Sequence, residues 1–290
     1  MKKLLIISVI ISVILPFQGV NSQHYNINQI PDSLKKKAYA IVRDHKVDIQ
    51  VQKIGSAEVT VFRAITVFNR NGDFMNAMHI FYDKNKSVKK IKGTIYNQNG
   101  KVIEKVKSKE IKDYSAAAGS VYEDNRIIYY KPLLNTYPYT IEYEYNYKLE
   151  NYLSFPDWRP VPSDNISVIK SDYQITLPAD FNIKFREFNL PDGNKFHEDE
   201  KEKIYKWSLN NYTAFDKETY APPSYKYLPC VMIVPEKFRF ENYYGTYDSW
   251  NIFGKWISKL NEGRDNLPEE CKREVARLLK GKDKKLEKIQ

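Results

Sequence analysis

Residues 141–148 alternate strictly, with Ile141, Tyr143, Tyr145 and Tyr147 on one side and Glu142, Glu144, Asn146 and Lys148 on the other. A period of two sends successive side chains to opposite faces of a pleated strand, one packed and one wet. A helix would scatter the same apolar residues around its circumference. The tyrosine rungs admit two readings: a packed face with hydroxyls at its rim, or a ligand platform. Packing is the commoner use of such rings.

The same period recurs along the chain. Val47, Ile49 and Val51 alternate with polar partners, and Val59, Phe62, Ile65, Val67 and Phe68 make a second apolar strand. Asn71-Gly72 predicts a tight hairpin into a strand carrying Met78, Ile80 and Tyr82. Ile91, Gly93 and Ile95 oppose Lys90, Lys92 and Thr94, and Asn99-Gly100 turns the chain into Val102–Val106. Tyr173, Ile175 and Leu177 form another strand, stopped by Pro178. Ile183 and Phe185, an Asp192-Gly193 turn, then Tyr205, Trp207 and Leu209 read as a further hairpin. Ser115–Gly119 is a small-residue loop, and Pro156, Pro160 and Pro162 frame Trp158 in a rigid crossing. Short strands with turn signals at this spacing favour an antiparallel sandwich.

The two ends differ from this body. Met1–Lys3 is cationic, Leu4–Phe17 is almost wholly apolar, and Val20–Ser22 supplies small residues for a peptidase. This is a cleaved signal peptide, cut after Ser22. The apolar run is short of the roughly 20 residues a membrane span needs, and no cysteine at the cut supports a lipid anchor. Gln29–His45 follows as a short helical approach in which Leu34, Ala38 and Ile41 share a face. After Pro222-Pro223, Ser249 is placed to cap a helix whose stripe is Trp250, Phe253, Trp256, Ile257 and Leu260, closed by Gly263. A second helix starts at Pro268, with Glu269 and Glu270 at its positive end, Cys271, Val275 and Leu278 on its inner face, and Gly281 at its close.

Tyr (23) and Phe (14) outnumber Gly (11), which fits a packed, β-rich body rather than a linker-like polymer. The net charge of +10 is uneven: ten lysines between Lys84 and Lys112 face only Glu104 and Glu110. The excess is lysine, without the arginine forks that read bases, which argues against nucleic acid. It reads as a wet face whose charges discourage edge-to-edge pairing, with contact to acidic envelope polymers as the competing reading. Cys230 and Cys271 read as two small buried hydrophobes, with a disulfide between them left open.

A search for chemistry returns no assembled site. No phosphate-binding glycine loop, HExxH or GxSxG elbow is present. His24 lies at the new N-terminus, His79 in a strand and His197 at a hairpin tip. His45, ending the helical stretch beside Asp44, is placed for a partly cationic ring. Cys271 sits where a helix start could favour a thiolate, but no histidine follows it. Glu142 and Glu144 share one exposed strand face. The expected catalytic, cofactor-binding and metal residues are therefore none, and no cofactor is expected.

Several runs, in order, carry a family resemblance: Phe62–Gly72, Gly93–Val102, Val121–Arg126, the strand Tyr139–Tyr145, Trp158, and Ser171–Pro178. Together, over roughly Val47–Leu209, the chain resembles domain of unknown function 3857. That exported bacterial module usually precedes a transglutaminase-like domain. Ser249-Trp250, Trp256, Leu260 and Leu267-Pro268 resemble the helical connector between the two. The family's enzyme-like core carries a cysteine in a Gly-Asp-Cys context with later His and Asp. This sequence reaches Gln290 without it, so no catalytic residue carries over, and Cys271, in Glu269-Glu270-Cys271-Lys272, belongs to the connector.

The expectations are these. The fold is mainly β, an antiparallel β-sandwich with a short N-terminal helix and two C-terminal helices. It divides into a signal peptide (1–22), a sandwich domain (23–235) and a helical connector (236–290). The product is periplasmic or secreted, non-catalytic and free of transmembrane spans, and it does not bind nucleic acid. It serves as an accessory or docking module whose partner is a transglutaminase-like domain or an envelope protein or glycan. The alternatives are a stand-alone carbohydrate- or peptide-binding module, and a subunit completing a transglutaminase-like cysteine enzyme in trans.

Overall fold

The alternating tyrosine strand, β8 (Tyr139–Glu150), lies inside an eight-stranded sheet. Its order is β11 (Lys195–Glu198), β12 (Glu202–Tyr212), β9 (Ile166–Pro178), β1 (Ala40–Lys53), β2 (Ser56–Val67), β8, β4 (Lys86–Asn97) and β5 (Val102–Lys105). The computed structural model describes residues 25–116, 124–191, 193, 195–216, 218–264 and 266–280. The signal segment 1–22, His24, most of the 115–119 loop, the 121–123 part of one family-like run, Asp192, Gly281 and the tail beyond lie outside them. All pairings in the large sheet are antiparallel except β1 with β9, which run parallel.

Period-two patterning decides which face is packed. Val47, Ile49, Val51, Val59, Ile65, Ile141, Tyr143, Tyr147, Tyr173, Ile175 and Trp207 all turn into one buried cluster. A second layer covers it in two halves. β3 (Met78–Tyr82), β7 (Arg126–Tyr130) and β6 (Lys112–Ser115) form a three-stranded sheet that contributes Met78, Ile80 and Tyr130. β10 (Ile183–Phe188) and β13 (Cys230–Pro235) form a pair that sets Phe185 on Trp207, 5.4 Å between ring centroids. The proline-framed crossing places Trp158 between the halves, fully buried and bridged to Val231. The mainly β sandwich expected from the pattern is therefore the fold. On the outer face the N-terminal segment covers one end, where Ile30, Leu34, Ala38 and Ile41 make a second cluster.

Three local expectations are corrected. The helix over 29–45 shrinks to α1 (Asp32–Lys35), because Lys37 takes φ 70° and β1 has already begun at Ala40. From there the backbone pairs on both sides, with β2 and with β9. Asn71-Gly72 makes no hairpin. β2 already has β1 on one edge and β8 on the other, so the returning strand has no place beside it. The chain instead makes a 3₁₀ turn over Arg70–Met75, and β3 pairs with β7. Gly72 is required there by crowding, since a Cβ would lie 2.4 Å from the Tyr39 carbonyl oxygen. Likewise β10 does not pair with β12, whose neighbours are β9 and β11; the hairpin there is β11–β12.

The segment beyond residue 235 opens with a β-hairpin, β14 (Lys237–Phe240) and β15 (Tyr243–Thr246), before α2 (Trp250–Leu260) and α3 (Glu269–Leu279). The Ser249 cap is present, its side chain accepting from the Ile252 N–H at 3.3 Å. No helix among the described residues is long and apolar enough to cross a membrane.

Candidate functional site

One row of the inner face departs from its apolar surroundings. Ser171, His45, Arg63 and Tyr143 occupy successive partner positions across β9, β1, β2 and β8. Each stands in a register otherwise filled by apolar residues: Tyr173 and Ile175, Val47 and Ile49, Val61 and Ile65, or Ile141. For Ser171, His45 and Arg63 the signal was thus present in the sequence as polar residues in apolar registers, whereas Tyr143 kept the alternation of its strand. Only the pairing of four strands brings them together.

Ser171 Oγ lies 3.1 Å from His45 Nδ1 and accepts the Trp158 indole N–H at 3.0 Å. Tyr143 donates its hydroxyl to the Asn76 carbonyl at 2.6 Å. Arg63 makes no ion pair among the described residues, and its Nη2 faces the Met75 sulfur at 3.8 Å. Burial, with the Arg63 guanidinium nearby, pushes His45 down to about 4, so the ring is neutral. This corrects the expectation of a partly cationic ring: His45 lies inside a strand, not at a helix C-terminus. A hydroxyl and an imidazole in contact suggest a nucleophile and base. Here Ser171 has no exposed surface, and among the described residues no carboxylate bonds the second His45 nitrogen. The contact joins β9 to β1 and anchors Trp158.

The remaining chemical candidates fall apart spatially. Cys230 is buried in β13, where burial raises its thiol, whereas Cys271 is exposed on α3; both are free. The expectation of two buried thiols holds for Cys230 alone, because α3 buries none of its residues. The side chain of Glu142 accepts from the Tyr25 hydroxyl at 2.7 Å, and Glu144 pairs with Lys92 at 3.3 Å. His79 packs on Tyr129, and His197 lies 3.8 Å from Asp199. Among the described residues no three His, Cys, Asp or Glu side chains gather as metal ligands. Of the tyrosine rungs, Tyr143 and Tyr147 are core and Tyr145 is half-buried, so the ladder is a packing surface.

A different kind of surface lies at the C-terminal end. Phe253 and Trp256 of α2 stack against each other, and Trp256 meets Phe238 edge-on at 5.0 Å. Gly245 permits this approach: a Cβ there would lie 2.5 Å from the Phe238 ring and 2.9 Å from Trp256. Trp250 and Ile257 of the apolar stripe are uncovered. Trp250 is 88% exposed, and Ile252 and Ile257 also reach solvent. On α3 the expected inner face, Val275 and Leu278, is exposed, with Leu278 at 56%. Two amphipathic helices thus hold apolar residues in water.

Residues 53–216 match the family described as a domain of unknown function with a solved structure, DUF3857. A search of the curated proteins gives no match. Among solved structures, a Parabacteroides distasonis protein described as a putative protease is 16% identical, with a TM-score of 0.67. The alignment covers 87% of this chain and 48% of that one, so this chain spans about half its length. That likeness concerns the fold alone. An M1 zinc metallopeptidase of Deinococcus radiodurans aligns at 11% identity over 71% of this chain and 46% of its own, with a TM-score of 0.32, too low to carry an argument.

Proposed function

Because this chain belongs to the DUF3857 family, whose function is unknown, we propose that it is a non-catalytic accessory module that docks a transglutaminase-like domain in the bacterial cell envelope. Export to the periplasm or beyond is part of the proposal and is supported by the signal-like residues Met1–Ser22. The observation that carries the docking role is the uncovered stripe of α2 and α3, where Trp250, Ile252, Ile257, Val275 and Leu278 stay exposed. Large aromatic and aliphatic side chains left exposed on amphipathic helices suit an interaction site. The structural neighbour of twice the length supports the reading, since its aligned half carries a comparable body beside further chain.

The test is to mix the purified chain with a transglutaminase-like domain from the same organism and measure binding by calorimetry. A stoichiometric complex is expected, weakened at least about 10-fold by the double substitution Trp250→Ser and Leu278→Ser, as for removal of interface anchors. No complex, or one indifferent to these substitutions, refutes the docking role. Amide hydrolysis or transfer by the isolated chain, lost in Cys271→Ala, refutes the non-catalytic part.

A further inference from the structure

We infer that a cavity at the end of β12 binds an alkylammonium group. The cavity, about 400 Å³, is walled by Tyr212, Phe215 and Tyr227, with Asp164, Glu218 and Pro222 completing its lining. Phe215 stands at 65° to Tyr212 and at 68° to Tyr227, with centroids 6.5 and 6.0 Å away, so the three rings form corners rather than a stack. The site is fixed in place by its backbone, since the Phe215 N–H donates to the Asp164 carbonyl at 2.9 Å.

Among the described residues, the charge of this cage is unbalanced. Asp164 is only 6% exposed, yet it forms no ion pair among the described residues. Tyr227 donates its hydroxyl to Asp164 Oδ1 at 2.9 Å, and Oδ2 has no hydrogen-bond partner among the described residues. Glu218 adds a second acidic residue to the lining, and none of the described lining residues is basic. Lys37, held to this region through the Asn165 side chain, pairs with Asp216 instead at 2.8 Å. A buried carboxylate without a cation is costly, and aromatic faces attract a poorly hydrated cation in the same position. Burial and the Asp164 carboxylate hold the Tyr212 and Tyr227 phenols protonated, which keeps the walls neutral.

The walls select among cations. A metal ion wants several oxygen ligands in place of its water, and here rings and a proline take most of the lining. Methylene or methyl groups around a nitrogen fit such walls, with the charge directed at Asp164. The ligand class is therefore a primary amine on an alkyl chain or a quaternary ammonium. This inference is independent of the docking proposal, because the cavity and the α2–α3 surface share no residue.

Calorimetric titration of the full chain with n-butylamine, choline and the neutral isostere 3,3-dimethylbutanol tests it. Saturable binding of at least one cation is expected, with the neutral isostere about 10-fold weaker or more, as loss of the charge term implies. Phe215→Leu and Glu218→Gln should each weaken the cation several-fold, and Glu218→Gln should do so without lowering the melting temperature. Glu218 is exposed, so its substitution does not threaten folding. Preference for butylamine assigns the site to amine or lysine side-chain ligands, and preference for choline to quaternary headgroups. Failure of both cations to bind at tens of millimolar overturns the assignment, as does equal binding of the isostere. Unchanged affinity in both variants overturns it too.

Discussion

The Ser171 hydroxyl and the His45 imidazole meet 3.1 Å apart from parallel neighbouring strands, in a layer otherwise filled by aliphatic and aromatic side chains. Trp158 also donates to the Ser171 oxygen, which has a second lone pair and a proton left for the contact with Nδ1. The neutral ring is the form this packing favours, and protonation would place a second cation beside Arg63.

Folding stability should therefore fall on mild acidification. His45 titrates near 4 in the folded protein against an ordinary 6.5, so between those values only the unfolded chain takes up the proton. Stability is full above about pH 6.5 and declines as the pH drops toward 4, by roughly 2 kcal/mol between pH 7 and pH 5. Urea unfolding at the two values measures this. His45→Asn should flatten the slope between them, and an unchanged slope would show that another group is responsible.

Ser171→Ala removes the acceptor of a fully buried indole N–H. Leaving that donor unpaired costs about 1–3 kcal/mol. In a Trp158→Phe background the donor is already gone, so the same substitution should cost about 1 kcal/mol less. A double-mutant cycle by chemical denaturation gives the coupling. Additive effects would mean that the hydrogen bond contributes nothing.

The strands were legible because their side chains alternate: Ile141–Tyr147 and Tyr173–Leu177 read directly as a wet face and a packed one, and Ser249 marked its helix. Pairing was not legible, because it depends on which edges are already taken. Asn71-Gly72 has the right chemistry for a tight turn, but β2 is flanked on both sides, and only the assembled sheet reveals that. Over 29–45, Leu34, Ala38 and Ile41, expected to share a helix face, are buried. Their three- and four-residue spacing suits a helix, whereas the structure uses a short turn followed by a strand. Ser171, His45 and Arg63 stand out strand by strand as polar residues in apolar registers, but their meeting required a pairing that no single segment encodes. The exposure of α3 was equally hidden, since amphipathicity predicts a buried face without naming what buries it.

The two thiols should react very differently. Cys271 is exposed on α3 and Cys230 is buried with its thiol pushed up by burial, so a thiol reagent at neutral pH should label one site quickly in the folded protein. In denaturant both should label. Mass spectrometry of the labelled peptides distinguishes the sites, and fast native labelling of Cys230 would contradict its burial.

Gly245→Ala should loosen the C-terminal end. The added methyl meets the Phe238 ring at 2.5 Å and Trp256 at 2.9 Å, both rigid aromatic groups in mutual edge-to-face contact. Overpacking of this kind costs about 1–3 kcal/mol. The strain falls where α2 meets the β14–β15 hairpin, so near-ultraviolet dichroism of the tryptophans should weaken while the strand signal of the main body persists. Cysteine labelling and the pH slope report on sites away from that contact and should stay as in the unsubstituted chain. A variant with unchanged tryptophan dichroism and stability would show that α2 is not seated on Phe238, and the uncovered stripe would then need a different geometry.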